Sequence, residues 1–365
     1  MLELGLDPAT GKRRQQMKGG FRTKKEAQAA LRAVGVASDE GRHVTTSKMT
    51  VSTFVAEWLV NIAPTLKATS HSGYSRSAKH ITKALGSRPL QMLTALEVES
   101  FYARLLVDGH MRGGGLSAKS VRNVHVTLRK ALADAERLGL VTRNVASSAR
   151  PPTAKRFEQT TWSSEELREF LASVDSDRLV AVWKLIATTG MRRGEALGLQ
   201  WAHVDFDDGC IAVVQSLTTA DNIMIFSEPK TPKSRRRISL DHNTLEGLRQ
   251  HRVAQKAQRL AVGSVWENQR GLVFTDPVGE PLHPDWFSRE FTRLSRAAGL
   301  PNIRLHDLRH TYATLALKAG VHPKVVSERL GHATIGITLD LYSHVSKGLD
   351  SEAAELVAGK IFGDT

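Results

Sequence analysis

The sequence predicts a mainly α-helical protein with small antiparallel β-sheets, divided into a small basic β/α module (1–47), a helical bundle (50–150) and a mixed α/β domain (157–365). Three observations predict this. A chain of 365 residues is too long for one ordinary core. Apolar residues recur at helical spacing from Thr50 to about Arg150. Short alternating apolar stretches between turn residues mark the first segment and the middle of the last.

In the first segment the turn signals Asp7-Pro8 and Gly19-Gly20 bracket a strand-like stretch. A cap-like Thr23, with Glu26 three residues on, opens a helix expected from Thr23 to Val34 with Ala27, Ala30 and Leu31 on one face. Lys12, Arg13, Arg14 and Lys18 make the hairpin basic and are candidates for DNA contact. In the second segment Val51, Phe54, Val55, Trp58 and Leu59 stand at core spacing. Helices follow at His71 to Leu85, Thr94 to Val107 and Ser117 to Leu138. The last turns Val121, Val124, Leu128, Leu132 and Ala135 inward and leaves Lys119, Arg122, Arg129 and Lys130 outside, either as a solvated face or as a grip on phosphates. Gly113-Gly114-Gly115 reads as a loop. After Asn144 the stretch ASSARPPTAKRF, with paired prolines and no apolar period, reads as an extended linker at a domain boundary.

In the third segment Ser163 or Ser164, followed by Glu165 and Glu166, caps a helix. Leu179 to Ala187 is an amphipathic helix that stops at Thr189-Gly190, and a short helix runs through Leu199. Ile211 to Leu217, Ile223 to Phe226 and Arg236 to Leu240 are expected to form one small antiparallel sheet. From His242 the pattern is helical, with a brief LVFTD strand at Leu272. The helix opening at His306 is expected to turn Leu308, Tyr312, Leu315 and Ala316 inward.

Lys and Arg outnumber Asp and Glu by 51 to 37, a formal charge of +14. Such a balance points to a polyanionic partner, with nucleic acid first. No run approaches the roughly 20 apolar residues of a spanning helix, and the N-terminus lacks an apolar signal core, so no membrane role and a cytoplasmic location are expected. The single cysteine, Cys210, excludes an intramolecular disulfide and a multi-cysteine zinc site, and its neighbours in GCIAVV suggest a buried strand.

Four stretches carry candidate chemistry. In HDLRHTYATLALKAG, His306 and His310 have the i, i+4 spacing of metal ligands. Asp307, however, stands where a zinc-protease helix has its general-base Glu, and Arg309 would put a cation beside the metal. Anion binding at the helix start, by His306 and Arg309, is the competing reading, and a plain helix cap is the third. TTGMRRGEALGL places Arg192 after a Gly-broken helix end, with Glu195 one turn on to orient it. EPKTPKSRRRISL puts Lys230 in a turn between Pro229 and Pro232, with Lys233 as its rival. ERLGHATIGITLDLYSHV holds His332 behind a helix-ending Gly331, and Tyr342 ten residues later. Each alone has a bland explanation.

Together, Arg192, Lys230, His306-x-x-Arg309, His332 and Tyr342 resemble, in order and context, the tyrosine recombinase or phage integrase family, over the whole chain in outline. The wording of TGMRRGEALGLQW, HDLRHTYAT and LGHATIGITLDLYSH is most similar to integrases of temperate phages and integrative elements. The resemblance implies an arm-site DNA-binding module (1–47), a core-binding domain (50–150) and a tyrosine-recombinase catalytic domain with a C-terminal protomer-contact tail (157–365). Only one short strand's worth of residues precedes Asp7-Pro8, so the first module departs from the family pattern and its sheet is expected to be incomplete.

The implied activity is site-specific DNA cleavage and rejoining through a 3′-phosphotyrosyl intermediate. Tyr342 is the implied nucleophile, His306 the base and Lys230 the general acid, with Glu195 supporting Arg192. The chemistry suits the residues. Non-bridging phosphate oxygens gain charge in the transition state, and Arg192, Arg309 and His332 offer fixed donors to them. A phenol of pKa about 10 is ionised at neutral pH in only about one molecule in a thousand, so Tyr342 needs a proton acceptor. No metal or cofactor is expected, in keeping with the lack of a P-loop motif or of clustered carboxylates for two-metal chemistry.

The implied partners are double-stranded DNA attachment sites, further copies of the chain in a homotetramer on DNA, an excisionase and a host DNA-bending protein. The tail, apolar at Ala353, Leu356, Val357 and Ile361, packs on its own domain or on a neighbour's. A type IB-like topoisomerase and a catalytically silent DNA-binding regulator are the alternative functions. The six intact polar positions weigh against the second, and the basic N-terminal module and long tail against the first.

Overall fold

The computed structural model describes residues 2–6, 13–16, 20–39, 44, 46–110, 113–154, 160–228, 235–332, 334–336, 338–339 and 357–363. It divides into two compact units, Met1–Arg156 and Phe157–Thr365. Among the described residues no helix is long and apolar enough to cross a membrane.

In the first unit β1 (Leu2–Leu6) pairs antiparallel with β2 (Arg13–Gln16), a two-stranded sheet among the described residues. Helix α1 (Lys24–Asp39) opens on the expected cap: the Glu26 amide donates to Thr23 Oγ1 at 3.2 Å, and the Arg22 amide to Glu26 Oε2 at 3.0 Å. Gly35 does not end it, and it runs past Val34 to Asp39.

Four helices build the bundle: α2 (Val51–Ile62), α3 (Ala68–Leu85), α4 (Ala95–Asp108) and α5 (Ala118–Arg137). Side chains of Thr50, Thr94 and Ser117 cap three of them, satisfying amides that have no partner within the helix. Phe54, Trp58, Ile81, Phe101, Tyr102 and Leu128 fill the core. Each such side chain contributes roughly 1.5–3 kcal/mol on burial. All five residues expected on the inner face of α5 are buried.

The first residues of the segment after Asn144 depart from the extended linker expected there, while Ala149 is already extended. Val145–Ser148 form one helical turn, α6, with Ala146 and Ala149 buried in the bundle core. Asn144 explains it: its Oδ1 accepts the Ala146 amide, and its Nδ2 donates to the Arg129 carbonyl at 2.8 Å, pinning the turn to α5.

The second unit opens with α7 (Ser164–Ser173), capped by Ser163 and Glu166, then α8 (Val180–Thr189) and α9 (Arg193–Leu197). The stretch from Ile211 to Leu217 is not one strand. It splits at Val214 and Gln215, and two sheets result. β3 (Val204–Asp205), β4 (Cys210–Val213) and β7 (Arg236–Ser239) form one, while β5 (Ser216–Ala220) and β6 (Ile223–Ser227) form a separate hairpin. Gln215 turns its Nε2 to the Gly198 carbonyl at 2.7 Å, anchoring the break to the end of α9.

Helices α10 (His242–Val262), α11 (Pro284–Ala297), α12 (Asp307–Lys318) and α13 (Pro323–Leu330) follow. The LVFTD stretch makes only isolated bridges, Gln200 to Leu272 and Thr275 to Pro281. The Gln255 side chain takes the carbonyls of Leu272 and Val273 that a neighbouring strand would otherwise use. The main core gathers Trp162, Phe170, Trp183, Phe287 and Phe291, with Trp183 stacked on Phe287 at 4.3 Å.

The inner face of α12 also differs from expectation. Leu308, Arg309, Thr311, Ala313 and Leu317 are buried, whereas Tyr312, Leu315 and Ala316 are only half-buried. The helix lies between two apolar clusters. Leu308 faces the main core, and Ala313 and Leu317 join Val326 and Leu330 of α13 in a smaller one.

Candidate active site

Three arginines converge on the end of α13. A helix leaves its last carbonyls without partners, and their partial negative charge favours cations there. Arg236 Nε donates to the Arg329 carbonyl at 2.7 Å, Arg309 Nη2 to that of Leu330 at 2.7 Å, and Arg192 Nη2 to that of Gly331 at 2.9 Å. His332 follows immediately. The three come from different elements: Arg192 from the N-cap of α9, Arg309 from the first turn of α12, and Arg236 from β7.

Local sequence explains each placement. Gly190 ends α8 with φ +64°, a left-handed conformation that glycine adopts at no steric cost. A Cβ there would lie 2.5 Å from Leu330 Cδ2 and 2.7 Å from Tyr312 Cδ1, so glycine also permits close approach. The freed Gly190 carbonyl accepts Arg309 Nη1 at 2.9 Å. Arg192 is clamped from behind by Glu195, whose carboxylate accepts both its amide (3.0 Å) and its Nη1 (2.8 Å). Gly331, at φ +65°, ends α13 and turns the chain to His332, whose Nδ1 is 2.8 Å from Thr338 Oγ1.

Charge at this centre is strongly positive. Glu195, 5 % exposed, takes Arg192 and Arg236 together. Burial opposes its ionisation, but hydrogen bonding and attraction from Arg236, then Arg192, hold its carboxyl below the usual range. Burial and then the charge of Arg192 push Arg309 down to about 9, against the pull of Glu195. It remains a cation at neutral pH. His332 is pushed down to about 4 by burial, then by Arg309 and Arg192. His306 is likewise pushed down to about 4 by burial, then by His310 and Arg309. Both imidazoles are therefore neutral at pH 7, so each holds one N–H donor and one acceptor nitrogen.

His306 stands at the N-cap of α12, edge-on to His310 at 5.1 Å, and faces a cleft lined by Arg193, Ser288, Thr292, Arg296 and Arg304. Asp307, the residue that weakened the metal reading of this helix, is a clamp on Arg304. It accepts that residue's amide, Nε and Nη2 at 2.8–2.9 Å. Among the described residues one other cluster has metal-ligand types close together, Asp205, Asp208 and Cys210. Their donors already serve a cation, since Arg237 Nη2 reaches Asp208 and Cys210 Sγ at 2.8 Å and Asp205 at 3.3 Å.

Of the expected site residues, Arg192, Glu195, Arg309 and His332 come together around Gly331, and His306 lies at the head of the same helix as Arg309. Lys230, its rival Lys233 and Tyr342 lie outside the described residues, as do Lys12 and Lys18. Arg13 and Arg14 are on β2. Lys119, Arg122 and Arg129 are exposed on α5, while Lys130 is drawn into an ion pair with Asp134 at 3.0 Å.

Sequence reasoning missed Arg236. The run SRRRIS offers three arginines with nothing local to rank them, yet strand alternation puts Arg236 on the face of buried Ile238 and turns Arg235 and Arg237 out.

The model of the phage integrase family matches residues 161–348, and that of an arm DNA-binding domain matches residues 2–35. An integrase of Streptomyces ambofaciens is 30% identical over 361 residues, spanning 93% of this chain and 87% of its own. The Tn1549 transposon integrase in complex with a circular intermediate DNA superposes with a TM-score of 0.69 at 22% identity, over 84% of this chain and 98% of that one. A lambda integrase tetramer bound to a Holliday junction gives a TM-score of 0.59 at 19% identity, over 92% and 90% of the two chains.

Proposed function

The chain belongs to the phage integrase family and is a site-specific tyrosine recombinase that breaks and rejoins DNA, and we propose that Arg192, Arg309 and His332 hold its scissile phosphate. The convergence of both arginines on the carbonyls of Leu330 and Gly331, next to His332, carries this reading. The carbonyls and Glu195 hold the guanidinium groups before DNA arrives, so little reorganisation is needed as charge develops on the phosphate.

Tyr342 Oη attacks phosphorus and gives up its proton to His306, which is neutral in the free protein. The bond to the 5′ oxygen breaks, Lys230 protonates that oxygen, and a 3′-phosphotyrosyl ester remains. Rejoining reverses each step, with an incoming 5′-hydroxyl displacing Tyr342. Because the ester conserves the phosphodiester bond energy, these residues suffice without an external energy source.

The DNA contacts divide by segment. Residues 1–47, with Lys12, Arg13, Arg14 and Lys18, engage arm-type sites, in line with the match to residues 2–35. Residues 50–150 engage the core site through Lys119, Arg122 and Arg129, with Lys130 joining when its pair with Asp134 opens. Residues 157–365 carry the chemistry. The partners are double-stranded attachment sites in the cytoplasm, an excisionase and a host DNA-bending protein. Exchange of four strands calls for four protomers. Val357, Ile361 and Phe362, each more than half exposed on the helical stretch 357–362, are suited to pack on a neighbouring copy.

The test is covalent trapping on duplexes that carry a nick beside the cleavage point, selected by the wild-type protein from a randomised pool. Wild type should leave a protein–DNA adduct that survives denaturation. Tyr342→Phe should bind the same DNA and leave none, and an adduct in that variant would remove Tyr342 from its role.

A further inference from the structure

Arg236 is the third arginine on the end of α13 and the one the reaction above does not use. Its guanidinium is almost wholly enclosed, with 7 % of the side chain exposed. Nη2 donates to Glu195 Oε2 at 2.8 Å and Nη1 to Glu195 Oε1 at 3.2 Å, a two-pronged grip on the carboxylate that clamps Arg192. Nε donates to the Arg329 carbonyl, two residues before the glycine that turns the chain to His332. At Gly331 a Cβ would come within 3.0 Å of Arg236 Nη1, so the glycine also makes room for this side chain. Arg236 also lines the cleft that holds His332 and Lys324.

From this geometry we infer that Arg236 is a positioning residue for phosphate recognition: it sets Arg192 through Glu195 and sets His332 through the end of α13. Three features separate this role from that of a buried ion pair kept only for stability. Its donors divide between two of the elements that present phosphate ligands, so one side chain fixes their mutual distance. Lysine has no fork with which to hold a carboxylate and a carbonyl at fixed angles. Arg236 is also the first residue of β7, the strand that follows the stretch of sequence containing Lys230.

The inference rests on the recombinase reading, and its test keeps the two apart. Arg236→Met, Arg236→Lys and Arg236→Gln are compared with wild type on two trapped duplexes, one with the natural scissile phosphate and one with a neutral methylphosphonate there. A neutral centre has less need of cations in register. On phosphate, a misplacement of the order of an ångström should slow cleavage roughly 100-fold in Arg236→Met. Arg236→Lys should lose less than Arg236→Met. On methylphosphonate the loss should shrink markedly, because the misplaced Arg192 matters less there.

Loss of equal size on both duplexes marks a merely structural role and overturns the inference, as does cleavage of phosphate at the wild-type rate. Arg236→Met in a Glu195→Gln background should cost less than it does in wild type, only the route to His332 being left to lose, and full additivity would overturn the route through Glu195. Should Arg236→Met fail to fold, Arg236→Lys and Arg236→Gln carry the same comparison. A wild-type protein that forms no adduct sinks the recombinase reading and this inference with it. Wild-type activity retained in all three variants overturns the inference alone.

Discussion

Replacing Gly190 with alanine should damage stability and chemistry together, by amounts the structure allows to be separated. Gly190 sits at φ +64°, where a residue with a Cβ pays a penalty of roughly 1–2 kcal/mol. The added methyl would meet Leu330 Cδ2 at 2.5 Å and Tyr312 Cδ1 at 2.7 Å, at the edge of the cluster joining α12 and α13. Forcing a methyl into filled space costs roughly 1–3 kcal/mol. The two add to roughly 2–5 kcal/mol, and at about 2–4 °C per kcal/mol for a unit of this size Tm should fall by roughly 4–20 °C.

The chemical effect comes through the Gly190 carbonyl, which holds Arg309 Nη1 at 2.9 Å. Displacing that carbonyl, or Leu330 with its own bond to Arg309 Nη2, moves the guanidinium from the position proposed to receive the phosphate. Adduct formation should then fall roughly 100-fold even at temperatures where the variant is fully folded. Calorimetry gives the first quantity, and single-turnover trapping well below Tm gives the second. A Gly190→Ala protein that melts within about one degree of wild type and cleaves at its rate would refute the assignment of Gly190 as the hinge that positions Arg309.

Three other outcomes are expected. Glu195→Gln removes a buried carboxylate shared by two arginines and should destabilise the second unit by roughly 3–5 kcal/mol in denaturant titration. Folding depresses that carboxyl, so its contribution is full above the usual glutamate range and fades as pH falls through the depressed value. Acid unfolding curves of wild type and variant should therefore converge at low pH. With His306 and His332 pushed down to about 4, cleavage at subsaturating DNA should stay level from neutral pH through the usual histidine range and decline only as pH approaches 4. An inflection near 6.5 would show that these groups titrate normally in the free protein. Deleting the residues after Lys347 should impair assembly of several protomers on DNA, read by gel-shift stoichiometry, more than binding of one. Unchanged assembly would assign the apolar tail to its own domain.

Much of the fold was legible because local rules and tertiary packing agree. Thr94 with Glu97 and Ser163 with Glu166 close reciprocal caps at helix starts, and the apolar stripe of α5 is buried as its period requires. Departures arise where a side chain reaches across the fold. Asn144 pins a helical turn in a stretch that reads as linker, and Gln255 replaces a strand at Leu272. Gln215 breaks an apolar run into strands of two different sheets. A period cannot report such bonds, because their partners lie 15 to 17 residues away in sequence.

The same division runs through the active site. Sequence by itself determined which chemical groups are present and in what order: two arginines, one histidine at a helix start and another behind a glycine-ended helix, a carboxylate one helical turn from Arg192, and a tyrosine. It determined the glycine hinges as well, because a left-handed helix end demands them locally. The tertiary structure alone decided that Arg192, Arg309 and Arg236, whose carbonyl acceptors lie 139, 21 and 93 residues away, meet at the end of one short helix. The reason is physical. The carbonyls that gather them belong to a helix end whose partial charge emerges only once α13 is folded and buried beside α12.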